Sequence, residues 1–437
     1  MAATLDRSIS RTSIRVRRVI GAIGPGLVTG AADDDPSGIA TYVQTGAQFG
    51  YAQLWTALFA LPLLTAVQEA SARIGAVTGK GLALVVRERY GIKPVYAMVG
   101  LLVLTNTINL GADLGAMAAA AQLLVPLPFV LLAIAFAFGI VIVEVFSSYR
   151  AYARLLKWLT IALLAYPITV FVVHEPWGQI LRATFVPQIQ LTPAFLFIFT
   201  GVLGTTITPY MFFWEASQEV EELHQRGQSS LAASPRIATD YLRNLRLDNI
   251  GGMLASQAAT WCIIVVGASV LNAAGVTSVS SAAEAAKALL PLVHTFPHSG
   301  LLAEILFAFG IVALGLLAVP VLAASSGYAV SEVAGWPEGL NLKLERAHGF
   351  YGVIALGTVI GLALNFIGLN PVKALIVAAV VNGVVAPPLI AVVALIARSP
   401  EVMGEHRSGW LSSSLMFVAC AGMSAAAIGL AVSAILR

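Results

Sequence analysis

Charge is what this chain has least of: Asp, Glu, Lys and Arg make up 11% of its 437 residues, against 58% hydrophobic. So little charge cannot cover a soluble globular surface, and a mean hydropathy of +0.85 indicates a helical protein that crosses a membrane many times. Cysteine is nearly absent. Cys262 and Cys420 both sit in apolar runs, which excludes a disulfide framework or a thiolate metal site. The six histidines form no ligand cluster, and His294 and His298 fall beside Pro297 in a connecting segment. No glycine loop carries the lysine that would cradle a phosphate, and Gly79-Lys80-Gly81 does not supply one, so ATP-driven chemistry is excluded. The formal charge of +3 is small and points to no nucleic-acid partner.

Long apolar runs are what the chain does have. They fall near 19–43, 51–76, 95–122, 126–148, 154–174, 191–216, 245–272, 299–330, 348–368, 371–397 and 408–436, about eleven spans. Basic residues gather in alternate connections: 1–18, 73–93, 150–157, 226–246, 343–346 and 398–407. The opposite connections hold only Arg182, Lys287, Lys373 and Arg437. The positive-inside rule then puts the N-terminus in the cytoplasm and the C-terminus outside, in a bacterial-type inner membrane. Residues 1–18, with Arg7, Arg11, Arg15, Arg17 and Arg18, read as a cytoplasmic tail rather than a cleaved signal peptide.

Within span one, Asp33-Asp34-Asp35-Pro36-Ser37-Gly38 interrupts an apolar stretch. A carboxylate at membrane depth costs roughly 2.5–3.5 kcal/mol even on mild insertion scales, so it is kept where it faces protein, water or an ion. Proline frees a carbonyl and glycine lets the helix unwind, which together make a mid-membrane cation site. Span six repeats the device with Gly201, Gly204, Thr205, Thr206, Thr208 and Pro209. Two proline breaks five spans apart predict a 5+5 inverted repeat: 19–175, then 191–397, with 408–436 as an additional helix in one transmembrane domain spanning 1–437.

Asp35 is the candidate ion-binding carboxylate, since spans one, three and six hold no Lys or Arg to pair with it. Asp33 and Asp34 cannot point the same way; each is a candidate for the approach or for direct ligation. Three adjacent acids also suit a cation that keeps part of its water. Thr205 and Thr208, three apart, are expected to share a helix face. Asn106, Asn109 and Asp113 form a polar stripe on span three, either pore-lining or an interhelical seam. Glu215 and Glu219 are either a cytoplasmic vestibule or a solvated helix end, and Asn382 is a further candidate in span ten. Met211 reads as packing.

At these residues the chain resembles the Nramp family of divalent-metal transporters. The resemblance runs from Gly24-Pro25-Gly26 through Asp35-Pro36, then Gln44-Thr45-Gly46-Ala47-Gln48-Phe49-Gly50-Tyr51. It continues through Glu69-Ala70-Ser71-Ala72-Arg73-Ile74-Gly75, Val77-Thr78-Gly79-Lys80, Arg87-Glu88-Arg89-Tyr90-Gly91, Asp113-Leu114-Gly115 and Pro209. It covers spans one to ten and implies an all-α LeuT-like fold with helices 1 and 6 broken, transporting by alternating access. Against the family's Asp-Pro-Gly-Asn, this chain has Asp35-Pro36-Ser37-Gly38, with Gly38 in place of the asparagine ligand. Against Met-Pro-His-Asn it has Thr208-Pro209-Tyr210-Met211, so a hydroxyl replaces the soft thioether. That exchange moves the site toward hard cations, and it resembles the Nramp-related magnesium transporters.

The family's proton route is reduced here to Asp35 and Asp113. Ala116 replaces its second span-three acid, Glu215 its later span-six histidine, and no arginine lies near Phe350. The expectation is uncoupled uptake of Mg²⁺, and of Mn²⁺, by a monomer needing no cofactor; the ion itself is the substrate. A proton-coupled Mn²⁺/Fe²⁺ symporter, a cation-binding membrane sensor, and an enzyme using Asp35 and Asp113 as a pair are the alternatives.

Overall fold

The computed structural model describes residues 30, 33–146, 164–173 and 175–435. The N-terminal tail, the Gly24-Pro25-Gly26 motif and most of span five's first half lie outside the described residues. All regular structure among the described residues is helical. The long helices are α1 (Pro36–Phe49), α2 (Trp55–Thr78), α3 (Leu82–Tyr90), α4 (Ile92–Ala121) and α5 (Phe129–Phe146), then α6 (Ala165–Val172) and α7 (Trp177–Phe185). They continue with α8 (Pro193–Thr206), α9 (Pro209–Gln225), α10 (Pro235–Val266), α11 (Ser299–Ala334), α12 (His348–Leu364), α13 (Pro371–Arg398) and α14 (Trp410–Ile435).

Eight stretches of the described residues are long and apolar enough to cross a membrane. The α2 helix is of spanning length at 24 residues but carries Glu69 and Arg73. Spans one and five are only partly described, α1 and α6 being the parts of them that are.

Both expected breaks are present. Asp35 is extended (φ −67°, ψ 171°) and caps α1, with Pro36 at its first position, where a missing N–H costs nothing. Between α8 and α9, Ile207 (φ −117°, ψ 69°) and Thr208 (φ −82°, ψ 133°) leave the helix before Pro209 starts it again. Pro209 has no N–H to give the Thr205 carbonyl. Thr205 and Thr208 therefore do not share a face of one helix: one lies in the last turn of α8 and the other is the N-cap of α9. Span six also runs on to Gln225, further than the expected 216.

The broken elements are the centre of the molecule. In the α8–α9 span 89% of the most apolar stretch is enclosed by protein, against 22% in α14. Phe138, Leu356, Val359 and Ile428 project from α5, α12 and α14, as lipid-facing side chains do. The α1 helix packs against α8, α13 and α10, and α4 against α11, α12 and α13. The α10 helix ends in a π turn, Gly267–Asn272. A Cβ at Gly46 would lie 2.3 Å from the Ile264 carbonyl oxygen and 2.8 Å from the Gly267 carbonyl carbon, so only glycine lets α1 cross α10 there. Asn272 Nδ2 pins the crossing by donating to the Ala47 carbonyl (2.7 Å).

Candidate functional site

The Asp35 carboxylate lies at the junction of α1, α4 and α8, fully enclosed. Its Oδ1 accepts from the Gly38 N–H (2.7 Å) and the Ser37 hydroxyl (2.6 Å). Its Oδ2 accepts from Asn109 Nδ2 (3.1 Å). A carboxylate has about four lone-pair positions, so three donors orient it and leave about one open. Ser37 Oγ lies 3.4 Å from Thr205 Oγ1, which links the two breaks through hydroxyls. Thr208 Oγ1 is buried with no hydrogen-bond partner, and the Tyr210 hydroxyl is its polar neighbour. Beside the junction, the Tyr42 hydroxyl and Thr206 Oγ1 are 2.9 Å apart.

Gly38 gives Asp35 its N–H, and a Cβ there would stand 3.2 Å from Thr205 Oγ1 and 3.3 Å from the Tyr42 ring. The missing side chain lets the start of α1 approach Thr205 of α8 closely. Asp33 and Asp34 are buried and face Ser256 of α10: its hydroxyl is 2.8 Å from Asp33 Oδ2 and 3.4 Å from Asp34 Oδ1.

The span-three stripe divides. Asn106 Nδ2 bonds the Leu322 carbonyl and the Ser325 and Ser326 hydroxyls of α11, an interhelical seam. Asn109 faces Asp35. Asp113 is buried within electrostatic reach of Asp35, and neither of its oxygens has a hydrogen-bond partner.

Glu215 and Glu219 form no solvated helix end: both are buried, Glu219 accepts from the Tyr241 hydroxyl (2.6 Å), and Glu215 from Asn249 Nδ2 (3.5 Å). Asn382 is buried on α13 beside Gly383, its Nδ2 without a partner.

The sequence reading did not single out Ser37, Tyr42 or Ser256. Ser37 carried a signal, since a hydroxyl two residues after a capping aspartate folds back on it. Ser256 carried none, because only the packing of α10 brings it to Asp33.

Among the described residues no three His, Cys, Asp or Glu side chains converge to hold a metal ion. A cation at Asp35 would therefore rest on one carboxylate plus hydroxyl and backbone oxygens and would keep part of its water. Such a loose, hard-oxygen shell suits an ion that must leave again.

Two broken helices packed together inside a helical bundle are the architecture of LeuT-type transporters. The chain superposes on a manganese transporter of Eremococcus coleocola with a TM-score of 0.74, at 15% identity, over 94% of this chain and 86% of that one. It superposes on Mhp1, a nucleobase-cation-symport-1 family transporter, at 0.54 and 14% identity, over 94% and 91%. The sequence profile of the natural resistance-associated macrophage protein-like (Nramp) family matches residues 26–433, and the chain belongs to that family. Among its relatives is the divalent metal cation transporter MntH of Deinococcus radiodurans, 28% identical over 407 residues, 89% of this chain and 84% of that protein. The MntH of Caldanaerobacter subterraneus is 26% identical over 405 residues, 90% and 88%. These relatives are transporters, and the enzyme alternative has no counterpart among them.

Proposed function

We propose that this chain carries divalent cations by alternating access, taking up Mg²⁺ and also Mn²⁺, as a monomer in a bacterial cell membrane with its N-terminus in the cytoplasm and its C-terminus outside. Family membership and relatives named as divalent metal transporters support the carrier. The observation that bears on the ion is the donor set at the breaks: the Asp35 carboxylate with the Ser37, Thr205 and Thr208 hydroxyls, all hard oxygen, and no thioether or imidazole among them. Mg²⁺ dehydrates reluctantly and prefers oxygen, so an all-oxygen donor set suits it. The membrane potential supplies about 4.6 kcal/mol per 100 mV for a divalent charge, enough to drive influx without a second gradient.

Proton-coupled Mn²⁺/Fe²⁺ symport is the second reading. The observation favouring it is Asp113, a second buried acid close to Asp35 whose oxygens carry no hydrogen bond.

Proteoliposomes holding a pH dye and challenged with Mg²⁺, Mn²⁺, Fe²⁺ and Ca²⁺ separate the two. Voltage-driven Mg²⁺ entry without acidification is expected. Mn²⁺ and Fe²⁺ entry with acidification, and no Mg²⁺ entry, overturns the magnesium reading.

A further inference from the structure

The three acids at the break divide between two neighbours. Asp35 turns to α4 and its own helix start, whereas Asp33 and Asp34 turn to α10. A Cβ at Gly30 would meet the Gly252 backbone at 2.4 Å, so Gly30, three residues before Asp33, lies directly on α10. One turn beyond Gly252, Ser256 is the hydroxyl both acids share, with Oγ 2.8 Å from Asp33 Oδ2 and 3.4 Å from Asp34 Oδ1. Thr260, four residues on and so on the same face of α10, lies within reach of the Asp34 carboxylate and the Tyr42 hydroxyl.

This cluster is incomplete as it stands. Thr260 Oγ1 is fully buried and completes a hydrogen bond with neither neighbour, and Asp33 Oδ1 is buried with no partner at all. No ion pair among the described residues involves Asp33 or Asp34, so no side-chain cation offsets two enclosed carboxylates. Buried charge at membrane depth persists when it is paired or coordinates an ion.

We propose that Asp33, Asp34, Ser256 and Thr260 form a second cation station, on the α10 side of the break and separate from Asp35, that takes a hard divalent ion. Two carboxylates and two hydroxyls offer only hard oxygens, and carboxylates two and one residues before Asp35 stand next to its ion path. The inference rests on the reading that the chain moves a hard divalent cation, and it adds a second ion to the one at Asp35.

Equilibrium binding of Mn²⁺ to the purified full-length protein in detergent, with Mg²⁺ as competitor, tests it. The wild type is expected to bind two Mn²⁺ and Asp35→Ala one. The double variant Asp33→Asn/Asp34→Asn is also expected to bind one. Ser256→Ala keeps both acids and so guards against a folding failure; it is expected to weaken the second ion alone, by roughly tenfold, the scale of one hydrogen bond to a charged group. A single wild-type ion lost in Asp35→Ala and kept in the double variant overturns the second station and leaves the proposed function intact. Two ions that both survive in the double variant overturn its placement. No Mn²⁺ bound by the wild type overturns both readings.

Discussion

Asn109 Nδ2 donates to Asp35 Oδ2 across 3.1 Å and fixes the acid that caps α1 to the long helix α4. The bond crosses between two elements of the inverted-repeat fold, so the orientation of the carboxylate depends on how α1 sits against α4. The Gly38 N–H and Ser37 hydroxyl hold the other oxygen from within α1 itself. One oxygen of Asp35 therefore moves with its own helix and the other is tethered to a neighbour. In a carrier that rocks one part of the bundle against another, such a divided carboxylate ties ion binding to helix position.

Asp35→Ala is expected to reduce divalent-cation flux to the level of empty liposomes while the protein still elutes as a folded species. Asp35 is the acid held by the start of α1 itself, its Oδ1 accepting from the Gly38 N–H and the Ser37 hydroxyl, whereas Asp113 stands on α4 and Asp33 and Asp34 turn to α10. Asn109→Ala keeps the acid and loosens one oxygen, with an expected loss of roughly tenfold in Mg²⁺ uptake rate. Wild-type flux in Asp35→Ala would remove the acid from the ion path.

Thr208 caps α9 with an unpartnered hydroxyl, at the position where the resemblance places a thioether in other family members. Thr208→Met should return a soft ligand and shift preference from Mg²⁺ toward Mn²⁺ and Cd²⁺, on the order of tenfold. The check is competition flux with the metals paired. Unchanged ratios would place residue 208 away from the ion.

Gly204 lies where α8 presses on α13: a Cβ there would sit 2.1 Å from the Ala379 carbonyl oxygen and 2.2 Å from the Gly383 nitrogen. Neither contact is a flexible side chain that can move aside. Gly204→Ala should therefore cost about 1–3 kcal/mol, read as a lowered unfolding midpoint in detergent. An unchanged midpoint would show that α8 and α13 are further apart than the structure has them.

Glu338 follows α11 in the connection to α12, and its buried Oε2 has no hydrogen-bond partner. Burial, then the nearby Glu332 and Glu221 carboxylates, pushes it up to about 10 from an ordinary 4.5. Folding takes up a proton between those two values. Its contribution thus falls as pH rises through that window, by at most about 1.4 kcal/mol per unit. Glu338→Gln should remove the slope and make the variant more stable than the wild type at pH 9 and nearly equal at pH 5. Parallel stability curves for the two proteins would contradict this.

Both breaks were legible in the sequence because proline announces itself: Asp35-Pro36 and Thr208-Pro209 mark the two interruptions without any knowledge of packing. What a break does to direction was less legible. Helical spacing put Thr205 and Thr208 on one face, and the non-helical Ile207 and extended Thr208 separate them. The end of span six was missed because Glu215 and Glu219 look like an exit into water by composition alone. In the fold α9 is enclosed by α2 and α11, and Tyr241 gives Glu219 a donor. The partners Asn109 and Ser256 come from helices distant in sequence, and no local pattern joins them to Asp35 and Asp33. The crossing of Gly46 and Gly267 is of the same kind: each glycine is unremarkable in its own helix, and only their meeting explains them.

Coupling is the sharpest division between the two transport readings, and Asp113 is where they part. A proton-coupled carrier needs a titratable group near the metal that takes a proton as the ion binds. Asp113 is buried close to Asp35 and unpartnered, yet Ala116 one turn further along α4 offers no next acid to pass a proton on. Glu215 and Glu219 are enclosed and engaged by Asn249 and Tyr241. A divalent ion entering an inside-negative compartment needs no second gradient. Mg²⁺ should therefore enter liposomes at zero pH gradient in step with the imposed voltage and leave the internal pH unchanged. Asp113→Asn and Glu215→Gln should both keep that voltage dependence and still show no proton signal. Metal-dependent acidification in the wild type that disappears in Asp113→Asn would establish Asp113 as the proton acceptor and the chain as a symporter.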